Sequence, residues 1–75
     1  MRKYYVLAQW NVPTSEWAVE FGDYDREIVR YEREDYLQSG NYRAKFLNII
    51  CCGDTQAAIN AALAAHPAPK PSRRG

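Results

Sequence analysis

The side chains in this sequence that could do chemistry are few, and they form no catalytic or zinc-binding pattern. His66 is the only histidine, and it adjoins Pro67 at the predicted end of a helix, where we expect a capping or solvated side chain. No nucleophile and base pair can be built around it. Cys51 and Cys52 are adjacent, so a strand would point them to opposite faces, and we expect two small buried thiols rather than a disulfide or a zinc site.

Carboxylates are the abundant reactive group. Asp23 and Asp25 stand two residues apart beside Gly22, a spacing that could imitate a catalytic pair or part of a cation site. A calcium loop would bring about five or six further oxygen ligands, so we predict instead that Asp23 or Asp25 caps a helix. The chain has 75 residues, without a P-loop or a dinucleotide fingerprint. We therefore expect no enzyme activity, no cofactor and no bound metal.

The formal net charge of +1 conceals a division along the chain. Residues 1–66 hold all nine acids against seven basic residues, a net charge of −2, whereas residues 67–75 add Lys70, Arg73 and Arg74. Within residues 16–35, eight acids oppose three arginines. Such an acidic block repels nucleic-acid phosphates and attracts basic protein surfaces. Alternatively, it is only the solvent-exposed face of a helix.

Two strands are predicted ahead of the acidic block. Apolar and polar residues alternate from residue 3 to 12 and again from 16 to 21, and Pro13-Thr14-Ser15 between them is typical of a turn. We therefore expect a hairpin with one buried face. In its second strand the alternation assigns three side chains to that face: Trp17, Val19 and Phe21.

A helical period replaces the alternation from Tyr24 to Gln38. Gly40 then suits the left-handed residue that ends a helix. The pattern places Tyr24, Ile28 and Tyr31 on the main apolar stripe. Three further residues widen this stripe around the helix: Val29, Tyr36 and Leu37.

A third strand and a second helix complete the elements. Residues 44–52 are apolar on both faces, which indicates a central strand or a strand covered on both sides. Asp54 is the predicted N-cap of an alanine-rich helix over residues 55–65, which Pro67 stops.

The order β-β-α-β-α predicts a domain of the α+β class over residues 1–66, followed by a flexible, basic, proline-rich tail over residues 67–75. A right-handed crossover returns the third strand beside the first, so the expected sheet is mostly antiparallel with the order 2-1-3. The first helix covers one face. We expect the second helix or a partner to cover the other, which carries four apolar side chains: Tyr5, Leu7, Phe46 and Ile50.

Three kinds of function fit these features. The first is a protein that blocks a partner by docking its acidic helix onto a basic groove, with Tyr24 and Trp10 as further aromatic anchors. The second is a nucleic-acid binder that stacks bases on Tyr5 and Phe46. The third is a regulatory homodimer. For the first, the candidate binding residues are Glu16, Glu20, Asp23, Asp25, Glu27, Glu32, Glu34, Asp35, Tyr31 and Tyr36.

The stretch from Trp17 to Glu27, the Glu- and Arg-rich helix and the segment Gly53–Ala62 together resemble small proteins encoded by phages and prophages. In size, layout and acidic surface the chain also resembles anti-CRISPR proteins, above all those that bind the type I surveillance complex. The resemblance implies a monomeric inhibitor in the cytoplasm of a bacterial host. It would occupy a basic, DNA-contacting surface, without binding nucleic acid or a membrane itself. The chain also resembles transcription regulators and toxin neutralisers of phage origin, which remain alternatives.

Overall fold

The computed structural model describes residues 2–69. Its strands and helices are β1 (Lys3–Asn11), β2 (Glu16–Asp23), α1 (Arg26–Gln38), β3 (Leu47–Gly53) and α2 (Gln56–Ala65). The strands form one antiparallel sheet in the order β2-β1-β3, which confirms the predicted α+β class and strand order. A single 3₁₀ turn, Ala44–Phe46, precedes β3, so the third strand begins later than the alternation predicts. Neither helix in this part of the chain is long and apolar enough to cross a membrane.

The two helices lie on opposite faces of the sheet, because β1 is apolar in both directions. Val6 and Ala8 are buried on the α2 side with Trp17 and Ile50. Leu7, between them in the chain, is buried on the α1 side, where it packs with two further buried residues: Val29 and Leu47.

The prediction that Tyr5, Leu7, Phe46 and Ile50 share the face opposite α1 is wrong for two of them, because Tyr5 and Leu7 pack on the α1 side. Ile50 pairs with Val6 and lies on the α2 side, as predicted. Phe46 ends the 3₁₀ turn ahead of β3, and Tyr5 is half-buried. Helices lie against both sheet faces within residues 2–69, so the aromatic face expected for stacking bases is covered there.

A bulge in β2 changes which face its side chains reach. Leu7 pairs with Phe21 and Ala8 pairs with Val19, which leaves Glu20 as the extra residue. Phe21 consequently packs on the α1 side, whereas Trp17 packs on the α2 side. Val19 is 46% exposed. The prediction of one common buried face for Trp17, Val19 and Phe21 is wrong, because strict alternation does not reveal an inserted residue.

The N-terminus of α1 follows the prediction that an aspartate caps it. The Asp25 carboxylate accepts a hydrogen bond from the Glu27 backbone N–H at 2.9 Å, and the Asp23 carboxylate accepts one from the Asp25 N–H at 2.8 Å. The helix ends at Gln38 with Ser39 as its C-cap, and Gly40 follows with a φ of 83°, in the left-handed region.

The buried stripe of α1 is not the one that the sequence indicates. Val29 is fully buried, and Tyr36 and Leu37 pack beside it against the sheet. The predicted main stripe faces solvent instead, with Tyr24, Ile28 and Tyr31 exposed to 43%, 42% and 67%.

The second helix packs Ile59 and Leu63 against the half of the core around Val6. Its N-cap is Thr55, whose hydroxyl accepts a hydrogen bond from the Ala58 N–H at 3.1 Å. Asp54, the predicted cap, does not cap the helix. Its carboxylate has another partner, which is described with the surface below.

Candidate protein-binding surface

Three large side chains stand exposed just before α1 and along one side of it. We call Tyr24, Ile28 and Tyr31 the aromatic stripe. Ile28 and Tyr31 are three residues apart and share one side of α1, whereas Tyr24 lies ahead of the extended N-cap residue Asp25 and is placed by its own contacts. An isolated exposed apolar residue needs no explanation, but three exposed large side chains at the start of one helix form a patch that a partner could cover.

Tyr24 is held in place although it is exposed. The Arg2 guanidinium lies 4.2 Å from the centre of its ring, and the Tyr4 ring meets it edge to face at 4.9 Å. Its hydroxyl donates a hydrogen bond to the Asp54 carboxylate at 3.1 Å. This hydrogen bond is the main reason why the pKa of Tyr24 is raised, with desolvation and the charge of Asp54 adding to it. The stripe therefore has one fixed end.

Three acids lie beside the stripe, and we call Glu20, Glu32 and Asp35 the acidic flank. Glu32 and Asp35 are neighbours on α1 at a spacing of three residues. Burial raises the pKa of Tyr36, and the negative charges of Glu20 and Glu32 raise it further, together with Tyr42. Glu20, on the β2 bulge, thus belongs to the same side of the molecule as Glu32.

The other predicted binding residues are dispersed. Asp25 caps α1, and Asp23 accepts a hydrogen bond from the Asp25 backbone N–H. Glu27 forms an ion pair with Arg30 at 2.9 Å. Glu34 lies on the opposite side of α1, and Glu16 lies near the far end of the hairpin beside Trp17. The structure therefore gathers Tyr31, Tyr36 and the acidic flank, but not the whole set, on one side.

An arginine-lined groove lies on the other side of α1, and no sequence-based prediction included it. It has a volume of about 280 Å³ and runs between α1 and β3; we call it the arginine groove. Its lining residues are Arg26, Arg30, Arg33, Glu34, Asn48 and Ile49. The spacing of the three arginines, four and then three residues, is the signal that could have revealed it.

Arg33 has a structural task within this groove. Its Nε–H donates to the Leu47 carbonyl oxygen at 2.7 Å, and one terminal N–H donates to the Ala44 carbonyl oxygen at 3.2 Å. The guanidinium thus ties α1 to the 3₁₀ turn and to the first residue of β3.

The two cysteines are free and lie on opposite faces of β3. Cys52 is half-buried against the α2 side, where desolvation and the neighbouring Cys51 raise the pKa of its thiol. Cys51 is exposed, so the prediction of two buried thiols is wrong for this residue.

His66 is the C-cap residue of α2, and its backbone N–H donates to the carbonyl oxygens of Ala62 and Leu63. Its ring is half-buried, 5.1 Å from the Trp17 ring, and its Nε2 lies 3.3 Å from the Asn48 amide nitrogen. His66 and Trp17 line a groove of about 520 Å³ between α2 and the end of the hairpin. In the described part of the chain, no three His, Cys, Asp or Glu side chains are placed to hold a metal ion.

The predicted tail is described only in its first residues. The Pro67 carbonyl accepts a hydrogen bond from Trp17, so the chain still contacts the domain at this point. Lys70, Arg73 and Arg74, which make the predicted tail basic, lie outside the described residues.

The aromatic stripe with its acidic flank is thus the surface of the described residues best suited to a protein partner. Comparison with known proteins adds nothing to this assignment: no family model, no curated protein and no solved structure matches the chain.

Proposed function

We propose that the protein is a non-enzymatic inhibitor that works by binding another protein. The aromatic stripe and the acidic flank would dock together onto a basic surface that otherwise holds nucleic acid. The observation that carries the proposal is the exposure of Ile28 and Tyr31 on one side of α1, beside Glu32 and Asp35, with the exposed Tyr24 just before the helix.

Each part of this surface has a physical role in such binding. Tyrosine supplies a large contact area with little side-chain entropy to lose, and it is enriched among the residues that dominate binding energy. The neighbouring carboxylates attract a basic partner over a distance of about 10 Å at moderate salt, and they repel nucleic-acid phosphates. A protein with this surface competes with nucleic acid for the same basic groove.

The partner class follows from this competition. We propose a nucleic-acid-binding complex of a bacterial host as the target, with the type I CRISPR surveillance complex as the first candidate, in keeping with the resemblance to anti-CRISPR proteins. The inhibitor would act as a monomer in the cytoplasm and would prevent recognition of target DNA by occupying the surface that the DNA needs.

The test measures target-DNA binding by a purified type I surveillance complex with and without the protein. We expect the wild-type protein to prevent DNA binding. Tyr31→Ala should weaken inhibition by at least about tenfold, the size of effect that truncation of a central interface tyrosine produces.

A matched pair of variants tests the charge. Glu32→Lys with Asp35→Lys reverses two charges of the acidic flank, and we expect inhibition to be lost. Glu16→Lys with Glu34→Lys makes the same change in net charge elsewhere, and we expect inhibition to persist. Equal inhibition by both double variants would remove the acidic flank from the binding surface. A wild-type protein that leaves DNA binding unchanged would remove this target.

A further inference from the structure

The outer edge of β3 is an open strand edge, and the backbone shows which residues face it. Both backbone groups of Leu47 are engaged away from β1, since its N–H donates to the Ala44 carbonyl and its carbonyl accepts from Arg33. The ladder between β1 and β3 runs without a register shift. Backbone groups alternate along a strand, so the N–H and C=O of Ile49 and Cys51 also point away from β1.

The arginine groove lies alongside this edge. Ile49 belongs to its lining, and the exposed Cys51 follows on the same face of β3. Arg26 is exposed and makes no hydrogen bond or ion pair with another residue of the described range 2–69. Within the same range Arg30 pairs with Glu27, at an exposed position where such a pair is weak. The strand edge therefore presents backbone donors and acceptors beside the unpaired Arg26 and beside Arg30, whose guanidinium an incoming carboxylate would share with Glu27.

We propose that this edge binds an extended acidic peptide segment of a partner, which adds to the sheet as a fourth strand next to β3. Its main chain would bond to Ile49 and Cys51, and its acidic side chains on the α1 face would meet Arg26 and Arg30. Three arginines outnumber Glu34 in the lining and Glu27 on Arg30, so the groove keeps an excess of positive charge that complements such a segment.

Two other occupants fit less well. A second copy of this chain, added antiparallel through its own β3, would bring its α1 onto the same face and set arginine against arginine. A nucleic acid would match the guanidinium groups, but its backbone offers no alternating donors and acceptors to the strand edge. The acidic peptide satisfies both parts of the site. This inference does not depend on the proposed function, since it concerns the opposite side of α1.

The experiment titrates the full chain with a synthetic peptide of alternating glutamate and valine, while backbone amide signals are followed by NMR. We expect the largest shifts at Ile49 and Cys51. The same peptide with an N-methyl group on every residue keeps its charge but has no N–H to donate from either edge, so it should not bind. Binding of the methylated peptide, or shifts confined to other strands, would overturn strand addition.

Arg26→Glu tests the charge, with the exposed Arg43→Glu as a control that changes the net charge equally. We expect Arg26→Glu to weaken peptide binding roughly threefold to tenfold, as the loss and reversal of an exposed ion pair imply, and Arg43→Glu to leave it nearly unchanged. Equal effects of the two variants would overturn the assignment of the groove. Single-stranded DNA binding as tightly as the peptide would also overturn it, in favour of a general anion site.

Discussion

The indole N–H of Trp17 donates a hydrogen bond to the carbonyl oxygen of Pro67, 3.2 Å away and 50 residues further along the chain. The Trp17 ring also meets Trp10 and His66 edge to face, at 5.3 and 5.1 Å between ring centres. One residue near the start of β2 therefore holds the segment after α2 against the hairpin.

We predict that Trp17→Phe destabilises the protein by about 2 kcal/mol, because it removes this hydrogen bond and part of a ring that is only 6% exposed. Urea unfolding followed by circular dichroism gives the free energy. Trp10→Phe is the matched control: Trp10 is half-buried, and its indole N–H makes no hydrogen bond within residues 2–69, so we expect a loss of about 1 kcal/mol or less. Equal losses would show that the bond to Pro67 contributes nothing.

Arg33 gives a second prediction, because its guanidinium ties α1 to two carbonyl oxygens at the start of β3. Arg33→Met keeps the apolar part of the side chain but removes both hydrogen bonds, and we expect the free energy of unfolding to fall by about 1–2 kcal/mol. Arg30→Met, which removes only the exposed pair with Glu27, should cost less than about 1 kcal/mol. The same urea unfolding measurement compares the two, and a larger loss for Arg30→Met would contradict the assigned role of Arg33.

Gly22 gives a third prediction, because the Tyr4 ring passes over it. A β-carbon at Gly22 would stand 2.5 Å from the Tyr4 hydroxyl oxygen and 2.8 Å from two ring carbons. We expect Gly22→Ala to destabilise the fold by about 1–3 kcal/mol, the usual cost of overpacking. In a Tyr4→Leu background, which lacks these atoms, the same substitution should cost much less. Additive losses in thermal unfolding of the double variant would argue against the clash.

The fourth prediction concerns pH. The pKa of Tyr24 is raised above 10.0, chiefly because its hydroxyl donates to the Asp54 carboxylate. The unfolded chain therefore loses this proton first, so the stabilisation is complete below pH 10.0 and is lost as the pH rises through the folded value. We expect the free energy of unfolding to fall more steeply above this pH in the wild type than in Tyr24→Phe or Asp54→Asn. Parallel pH curves for all three proteins would contradict the prediction.

The sequence was sufficient for the order of the strands and for the boundaries of most elements. Alternation located the hairpin, and the crossover rule placed β3 beside β1. The sequence pattern gave wrong faces where a single residue interrupts the alternation of a strand. Glu20 is such a residue, because a bulge leaves no mark in a pattern of apolar and polar letters and yet turns Phe21 to the other face.

The predicted orientation of α1 was wrong for a related reason. Its true inner stripe includes the half-buried Arg33, which a hydrophobicity pattern counts as outward. The competing stripe of Tyr24, Ile28 and Tyr31 contains only apolar and aromatic residues, so the sequence assigned it to the core. The same error left Ile28 out of the predicted binding residues, although Tyr24 and Tyr31 were among the predicted anchors. The predicted acidic set was too wide, because acids that are close in sequence lie on different sides of a helix.

Strand β1, which is buried on both faces, also limits misfolding. Val6 and Ala8 fit under α2 and Leu7 fits under α1, with no exposed surface left on any of the three. A slip of β1 by one residue against either neighbour would exchange these side chains between two differently shaped compartments and would bury none of them well. Small sheets with open edges aggregate most readily when their pairing is ambiguous. In this protein the central strand permits one alignment, and that restriction protects the chain while both outer edges remain available.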